Sequence, residues 1–190
     1  MTTLLAVLGS VTPPSRLHAA MKDAVDTAAA RAGVSASLLD LGEHRLSFAD
    51  GRPLDAFGDD TAPAVARVAA ADAVILASPV YRGSFTGALK NFLDLTPVEA
   101  LRDKPVGIVA MGATLHHYLG VDWQLRGVLA WFGALVVPTS VYLESSQFKD
   151  GKLADDRGRA ALTDLVSALL DLASRPKRPL GPPPLASGRG

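Results

Sequence analysis

ADAVILASPVYRGSFTGALKNFLD, residues Ala71–Asp94, decides the fold. Its leading apolar run shows no polar alternation and ends at Ser78-Pro79, the pattern of a strand covered on both faces, as in a parallel sheet. Tyr81 and Arg82 follow, a planar aromatic and a cation. Gly83, Ser84, Gly87 and Ala88 then open a helical pattern over Thr86–Leu95, stopped by Pro97. A buried strand with such an ending, followed by a helix start of so little bulk, raises the question of what the connecting loop faces.

The same alternation extends outward in both directions. Thr3–Gly9, Val34–Leu41, Asp72–Ser78, Pro105–Gly112 and a stretch within Ala134–Leu143 read as strands. Leu17, Ala20, Met21, Ala24, Val25 and Ala28 keep helical spacing after the first strand. Val65, Val68 and Ala69 mark a short helix before the third, and a longer one is expected over Leu115–Phe132. Asp155 or Asp156 caps a last helix carrying Leu162, Leu165, Val166, Leu169 and Leu170. The polar stretch His44–Asp60, rich in Gly, Pro and Asp, reads as a long loop. Five β/α units predict a flavodoxin-like α/β/α sandwich with a five-stranded parallel sheet in the order 2-1-3-4-5. A six-stranded dinucleotide fold is disfavoured, because no G-x-G-x-x-G follows the first strand, and no G-x-x-x-x-G-K-[ST] loop is present either.

The chain has 190 residues, which suits one domain, here residues 1–174. From Arg175 the sequence RPKRPLGPPPLASGRG is expected to be a mobile Pro/Gly-rich tail, 175–190. Apolar residues make up 48% and charged residues 20%, the composition of an ordinary globule. A formal net charge of zero gives no basis for broad binding to nucleic acid or an anionic membrane. With no cysteine, disulfides, thiolate catalysis and cysteine-ligated metals are excluded, so any redox chemistry must come from a bound cofactor. The opening MTTLLAVLGS has no basic n-region and too short an apolar run for a signal or a span, so a cytoplasmic protein is the expectation.

In a sheet of this order, ligands bind beyond the carboxyl ends of the strands, between the first and third. Three loops should meet there. The first, Gly9–Leu17, offers the hydroxyls of Ser10, Thr12 and Ser15, the donor fork of Arg16 and the free amides of a helix start near Ser15, with Pro13-Pro14 limiting its freedom. It is either a nest for one phosphate monoester or a capped helix start with incidental serines. In the second, Pro79-Val80 would present rigid backbone to a flat ligand that Tyr81 packs against. Arg82 would pair with a phosphate or a developing anion; the alternative is a rim aromatic and a solvated charge. The third, Met111–His117, leaves room at Gly112 and Ala113 and offers Thr114, or is a plain strand-to-helix turn. Adjacent His116 and His117 lack the i, i+4 spacing of a helical metal pair, so no metal is expected. His18 and His44 read as surface or packing residues.

On the helix Leu115–Phe132, at ~100° per residue, Tyr118, Val121, Leu125, Val128 and Phe132 form a stripe suited to the sheet. Asp122, Gln124 and Arg126 lie between the faces. Leu119, Trp123 and Ala130 fall on the opposite side, where a monomer should be polar. Either a second subunit or a loop covers them; the expectation is a homo-oligomer, dimer or tetramer.

With these residues in place, the chain resembles the NAD(P)H-dependent FMN reductase family, and within it the sulfonate-utilisation branch. The resemblance rests on GS....SR at Gly9–Arg16, SPVYRGSFTGALKNFLDLTP at Ser78–Pro97 and MGATLHHYLGVDWQLRGVL at Met111–Leu129, and runs from about Leu4 to Leu172. It implies that Ser10, Ser15 and Arg16 hold the FMN phosphate, that Pro79, Val80, Tyr81 and Arg82 line the isoalloxazine, and that Gly112, Ala113 and Thr114 meet its polar edge. Where the family often has two glycines this chain has Gly112-Ala113, a methyl that narrows the slot. Trp123 matches an interface aromatic near the flavin. The implied activity is hydride transfer from NAD(P)H to FMN without an obligatory side-chain acid or base, so no catalytic residue is named. The reduced FMN would go to a two-component, alkanesulfonate-type monooxygenase. The alternatives are a reductase with bound FMN acting on quinones, chromate or azo dyes, a flavodoxin-type electron carrier, which the neutral charge disfavours, and a non-redox phosphosugar or nucleotide module.

Overall fold

Five strands form the sheet, and the apolar runs of the central three are buried on both faces. The five are β1 (Thr2–Leu8), β2 (Val34–Asp40), β3 (Ala73–Pro79), β4 (Pro105–Gly112) and, at the far edge, β5 (Leu135–Val136) continued by β6 (Val141–Glu144). The order is β2-β1-β3-β4-β5, all parallel, with β6 also paired to β4. This is the expected flavodoxin-like arrangement. The computed structural model describes residues 1–12, 15–176, 178–182 and 184.

Successive residues of each strand serve opposite cores. Leu5, Val7, Val74, Leu76, Val106 and Ile108 face α2 (Thr61–Ala70), α3 (Gly87–Leu95) and α4 (Tyr118–Phe132). Leu4, Ala6, Leu8, Ala73, Ile75 and Ala77 face α1 (Arg16–Ala29) and α5 (Asp156–Ala173). The two-residue period of a strand thus feeds a helical layer on each side. Asp155 is the cap of α5, its carboxylate accepting from the Gly158 amide at 2.8 Å. The long loop His44–Asp60 is tied down at several points. Asp60 and Asp59 accept from the Arg45 and Ser47 amides, and Asn91 on α3 bonds Ala49 and Ser47. Hydrogen bonds from Ser47 and Thr61 hold the Asp59 carboxyl well below the ordinary carboxylate range.

Three features depart from the sequence reading. The fifth strand is broken: Val106 pairs with Val136 but Val109 with Val141, so the edge strand contains two extra residues. Pro138 lies in this break, where its missing N–H costs no ladder bond. Arg126 donates to the Val137 and Pro138 carbonyls, each at 2.9 Å. Next, Leu115–His117 forms a 3₁₀ turn, and α4 begins only at Tyr118. Its buried stripe is Val121, Asp122, Leu125, Leu129 and Phe132, so Leu129 replaces Val128, and Tyr118 is half exposed. Asp122 turns inward because Arg126 meets it with two bonds of 3.0 and 2.9 Å on the way to those carbonyls. Finally, a hairpin, β7 (Phe148–Lys149) and β8 (Lys152–Leu153), stands before α5. Its turn residues Asp150 and Gly151 both take positive φ, the pattern of a type I′ turn.

Among the described residues the last regular element ends at Ala173, and beyond it the Leu180 amide donates to Asp103 at 3.3 Å. Pro13-Pro14 and residues 185–190, the end of the expected tail, lie outside the described residues. Among the described residues, no helix is long and apolar enough to cross a membrane.

Arg126→Ala should leave the Asp122 carboxylate buried without its cation and two carbonyls without a donor. A loss of about 3–5 kcal/mol in urea denaturation is the expected outcome.

Candidate functional site

Beyond the carboxyl ends of β1, β3 and β4 lies a cleft of about 700 Å³. It is lined by Ser10, Thr12, Ser15 and Arg16 on one side, Pro79, Val80 and Tyr81 on another, and Met111, Gly112 and Ala113 on a third. Every expected binding residue except Arg82 and Thr114 therefore opens onto one cavity. Its volume falls within the roughly 300–1,000 Å³ of small-molecule and cofactor pockets.

The first side is built by the exit from β1. Ser10 is buried, its hydroxyl 2.8 Å from that of Thr12. Ser15 precedes α1 in an extended conformation, and its hydroxyl makes no capping bond. The free amides of the helix start open toward the same space. α1 has no acidic residue in its first turn, and Arg16 has no acidic partner among the described residues. The positive end of a helix dipole, an unpaired guanidinium and free hydroxyls are a donor set for an anion.

Opposite stands the wall that ends β3. The Val80 amide bonds the Met111 carbonyl at 2.8 Å, which fixes the backbone beside the cleft. Tyr81 and Ser84 exchange backbone bonds of 2.8 and 3.0 Å across a two-residue turn in which Arg82 and Gly83 both have positive φ. That conformation costs a non-glycine residue about 1–2 kcal/mol. It is held by α4: the Ser84 hydroxyl bonds Gln124 at 2.7 Å, and Gln124 bonds the Gly83 carbonyl at 3.1 Å. A Cβ on Gly120 would lie 2.6 Å from the Gly83 carbonyl oxygen, so the helix meets the turn through bare backbone. Within this turn Arg82 is exposed and stands outside the cleft lining.

Behind the third side stands Tyr142, whose hydroxyl donates to the Thr114 carbonyl at 2.6 Å. Burial, and secondarily the Glu144 charge, raise its phenol above the ordinary value. A Cβ on Gly112 would lie 2.0 Å from that hydroxyl, so only glycine fits while Tyr142 holds its bond. Thr114 is engaged outside the lining, its carbonyl by Tyr142 and its hydroxyl 3.2 Å from His116. Ala113 is exposed and adds its methyl to the cleft.

The sequence reading missed Ser145 and Gly151, brought in by the chain after β6 and the β7–β8 turn. Asp150-Gly151, the standard dipeptide of a type I′ hairpin, was the available signal. His18 also lines the cleft instead of merely packing or facing solvent. Its ring approaches Asp40, and ligating atoms of His18, Asp40 and Glu43 lie within 4.8 Å of one another.

Free hydroxyls and an unpaired guanidinium facing a wall of backbone and aromatic, at the switch point of a 2-1-3-4-5 sheet, define a flavodoxin-like protein with a small-molecule cleft at its carboxyl edge. The family model described as NADPH-dependent FMN reductase matches residues 2–148, and the chain belongs to that family. It is thus an oxidoreductase that works with FMN and NAD(P)H. Over 134 residues it is 38% identical to the NAD(P)H-dependent FAD/FMN reductase of Geobacillus thermodenitrificans, covering 70% of this chain and 72% of that protein. It is 31% identical over 176 residues to the NADH-dependent FMN reductase SfnF of Pseudomonas putida, covering 90% of each. Among solved structures, the apo form of the NADH:FMN oxidoreductase EmoB superposes with a TM-score of 0.78 at 28% identity, over 93% of this chain and 92% of that one.

Gly112→Ala should destabilise the protein by about 1–3 kcal/mol through overpacking against Tyr142. Adding Tyr142→Phe, which removes the nearest atom, should recover part of that loss in thermal melts.

Proposed function

We propose that FMN lies in this cleft with its phosphate at the start of α1 and its ring against Pro79–Tyr81, and that the reduced flavin is passed to a two-component monooxygenase of the alkanesulfonate type. The carrying observation is that the unpaired Arg16, at an acid-free helix start, opens into the same cavity as the Val80–Tyr81 wall. The residues present fit the group. The uncapped Ser15 hydroxyl, Ser10, Thr12 and Arg16 match a phosphate, and the backbone of Gly112 leaves the opposite side without a side chain.

Bound FMN supplies a hydride acceptor at N5, and the nicotinamide supplies the hydride from C4. The protein's part is placement. Ser10, Ser15 and Arg16 anchor the phosphate and so set the depth of the ring. Pro79, Val80 and Tyr81 give it a flat support that excludes water from one side. The loop at Gly112 and Ala113 faces its polar edge, and Arg82 at the rim adds positive charge. No side chain need exchange a proton with the nicotinamide, and catalysis is by orientation. SfnF, an NADH-dependent FMN reductase that aligns with 90% of this chain, supports FMN as the flavin that is reduced; the monooxygenase link rests on the resemblance to the sulfonate-utilisation branch.

The outer face of α4 belongs, in this reading, to a second copy of the chain. Leu119, Ala130 and Trp131 are exposed there and Trp123 is 80% exposed, with Leu115 also exposed in the turn before the helix. So much uncovered aromatic and aliphatic surface on one element marks an association site. The helix carrying it also clamps the Tyr81–Ser84 turn, which links assembly to the cleft.

Purified protein should oxidise NAD(P)H only when free FMN is added; turnover with quinones, chromate or azo dyes and no response to free FMN would favour a bound-flavin reductase. Arg16→Ala should raise the FMN dissociation constant roughly 10- to 100-fold, the effect of a lost charged hydrogen bond. Unchanged affinity would remove the nest from the account. Trp123→Glu should convert an oligomer to a monomer in sedimentation velocity, and a wild-type monomer at high concentration with FMN would contradict the interface.

A further inference from the structure

The first turn of α1 carries two basic side chains, Arg16 and His18, and no acidic one. That opposes the ordinary preference, because the positive end of a helix dipole disfavours cations. Behind the turn stand two carboxylates. Asp40 ends β2 and is 6% exposed; its Oδ1 accepts from the Gly42 amide at 2.9 Å, while its Oδ2 lies 3.8 Å from His18 Nε2. Glu43, in the following 3₁₀ turn, has a carboxylate oxygen within 4.8 Å of the ligating atoms of both. An anion entering the nest at Ser15 and Arg16 would meet these like charges close by. The imidazole stands with them and also lines the cleft. As imidazolium it offsets the carboxylates and turns a positive charge toward the entering anion.

We propose that His18 is a second, proton-controlled ligand of the FMN phosphate and that Asp40 positions its ring. This rests on the placement of FMN argued above. The charged groups around His18 are Arg16 and, one turn on, Lys22 on its own helix, Asp40 and Glu43 from β2 and the turn after it, and Lys152 on β8, a strand packed against α1. β1 and β3 carry no charged side chain, and α5 bonds Arg31, beyond the far end of α1, through Ser167. Histidine changes charge between about pH 5 and 8. The protonated ring attracts the phosphate, and the attraction weakens when the ring is neutral. The second ionisation of free FMN's phosphate, near pH 6 for phosphomonoesters, is common to every variant.

The test is the FMN dissociation constant, from quenching of flavin fluorescence, for wild type, His18→Gln, His18→Lys and Arg16→Ala at about pH 6 and pH 8. His18→Gln should weaken binding about tenfold at the lower pH, as expected for a charge-assisted hydrogen bond, and about twofold or less at the higher. His18→Lys should bind tightly at both. Matching thermal melts would show that each variant is folded. His18→Gln with wild-type affinity at the lower pH, an equal loss at both pH values, or failure of His18→Lys to restore binding overturns the role of His18. Wild-type protein that does not bind FMN, or binds it indifferently to Arg16→Ala, defeats instead the placement of the phosphate on which the proposal rests.

Discussion

The site depends on how the ends of β1 and β3 are fastened together as their chains part. After β1 the chain crosses to α1 on one face of the sheet, and after β3 it crosses to α3 on the other. The Thr86 hydroxyl bridges the split, donating to the Gly9 carbonyl and accepting from the Leu89 amide at 3.1 Å. The Ser78 hydroxyl accepts from the Thr86 amide at 3.0 Å. Ser78 and Thr86 are buried, so an unmade bond there would cost about 1–3 kcal/mol. A Cβ on Gly9 would stand 2.6 Å from Leu89 Cβ; the bare backbone lets α3 close onto the end of β1. The opening between the two loops follows from that closure, and it is where Ser10 and Val80 come to face one cavity. The small helix start in the opening stretch belongs to this contact.

α4 supplies the second constraint. Its inner side reaches the broken edge strand through Asp122 and Arg126, and Gly120 and Gln124 hold the turn that carries Tyr81 and Arg82. Its outer side bears Trp123. A movement of this helix would shift the Tyr81 wall, so an association through Trp123 would brace the cleft from outside.

Much of this was legible in the residues themselves. Parallel strands buried on both faces read as unbroken apolar runs, and β4 appears at its expected limits, Pro105–Gly112. The hydroxyl-rich loop at Ser10–Arg16 and the Pro79–Tyr81 wall were legible because each carries its chemistry within a few consecutive positions. What escaped depended on distant partners. The break between β5 and β6 is stabilised by Arg126 from another element. The phase of α4 depends on the 3₁₀ turn before Tyr118 and on Asp122 turning inward, which no apolar count reveals. Strands as short as Phe148–Lys149 and Lys152–Leu153 carry no hydrophobic period, leaving only Asp150-Gly151 to announce them. His18 enters the cleft through a neighbourhood completed by Asp40, at the end of a different strand. Sequence adjacency to Tyr81 points Arg82 at the ligand and hides the left-handed turn that sets it at the rim.

In the proposed mode of binding, one flat, singly phosphorylated ligand spans the carboxyl edge of the sheet, anchored at α1 and supported by the end of β3. A crystal structure of the protein soaked with FMN tests it most directly. The phosphate should lie within hydrogen-bond distance of Ser15 and Arg16, with the ring along Val80 and Tyr81. Flavin density elsewhere on the molecule, or a ring in this cleft with its phosphate turned away from α1, would contradict it.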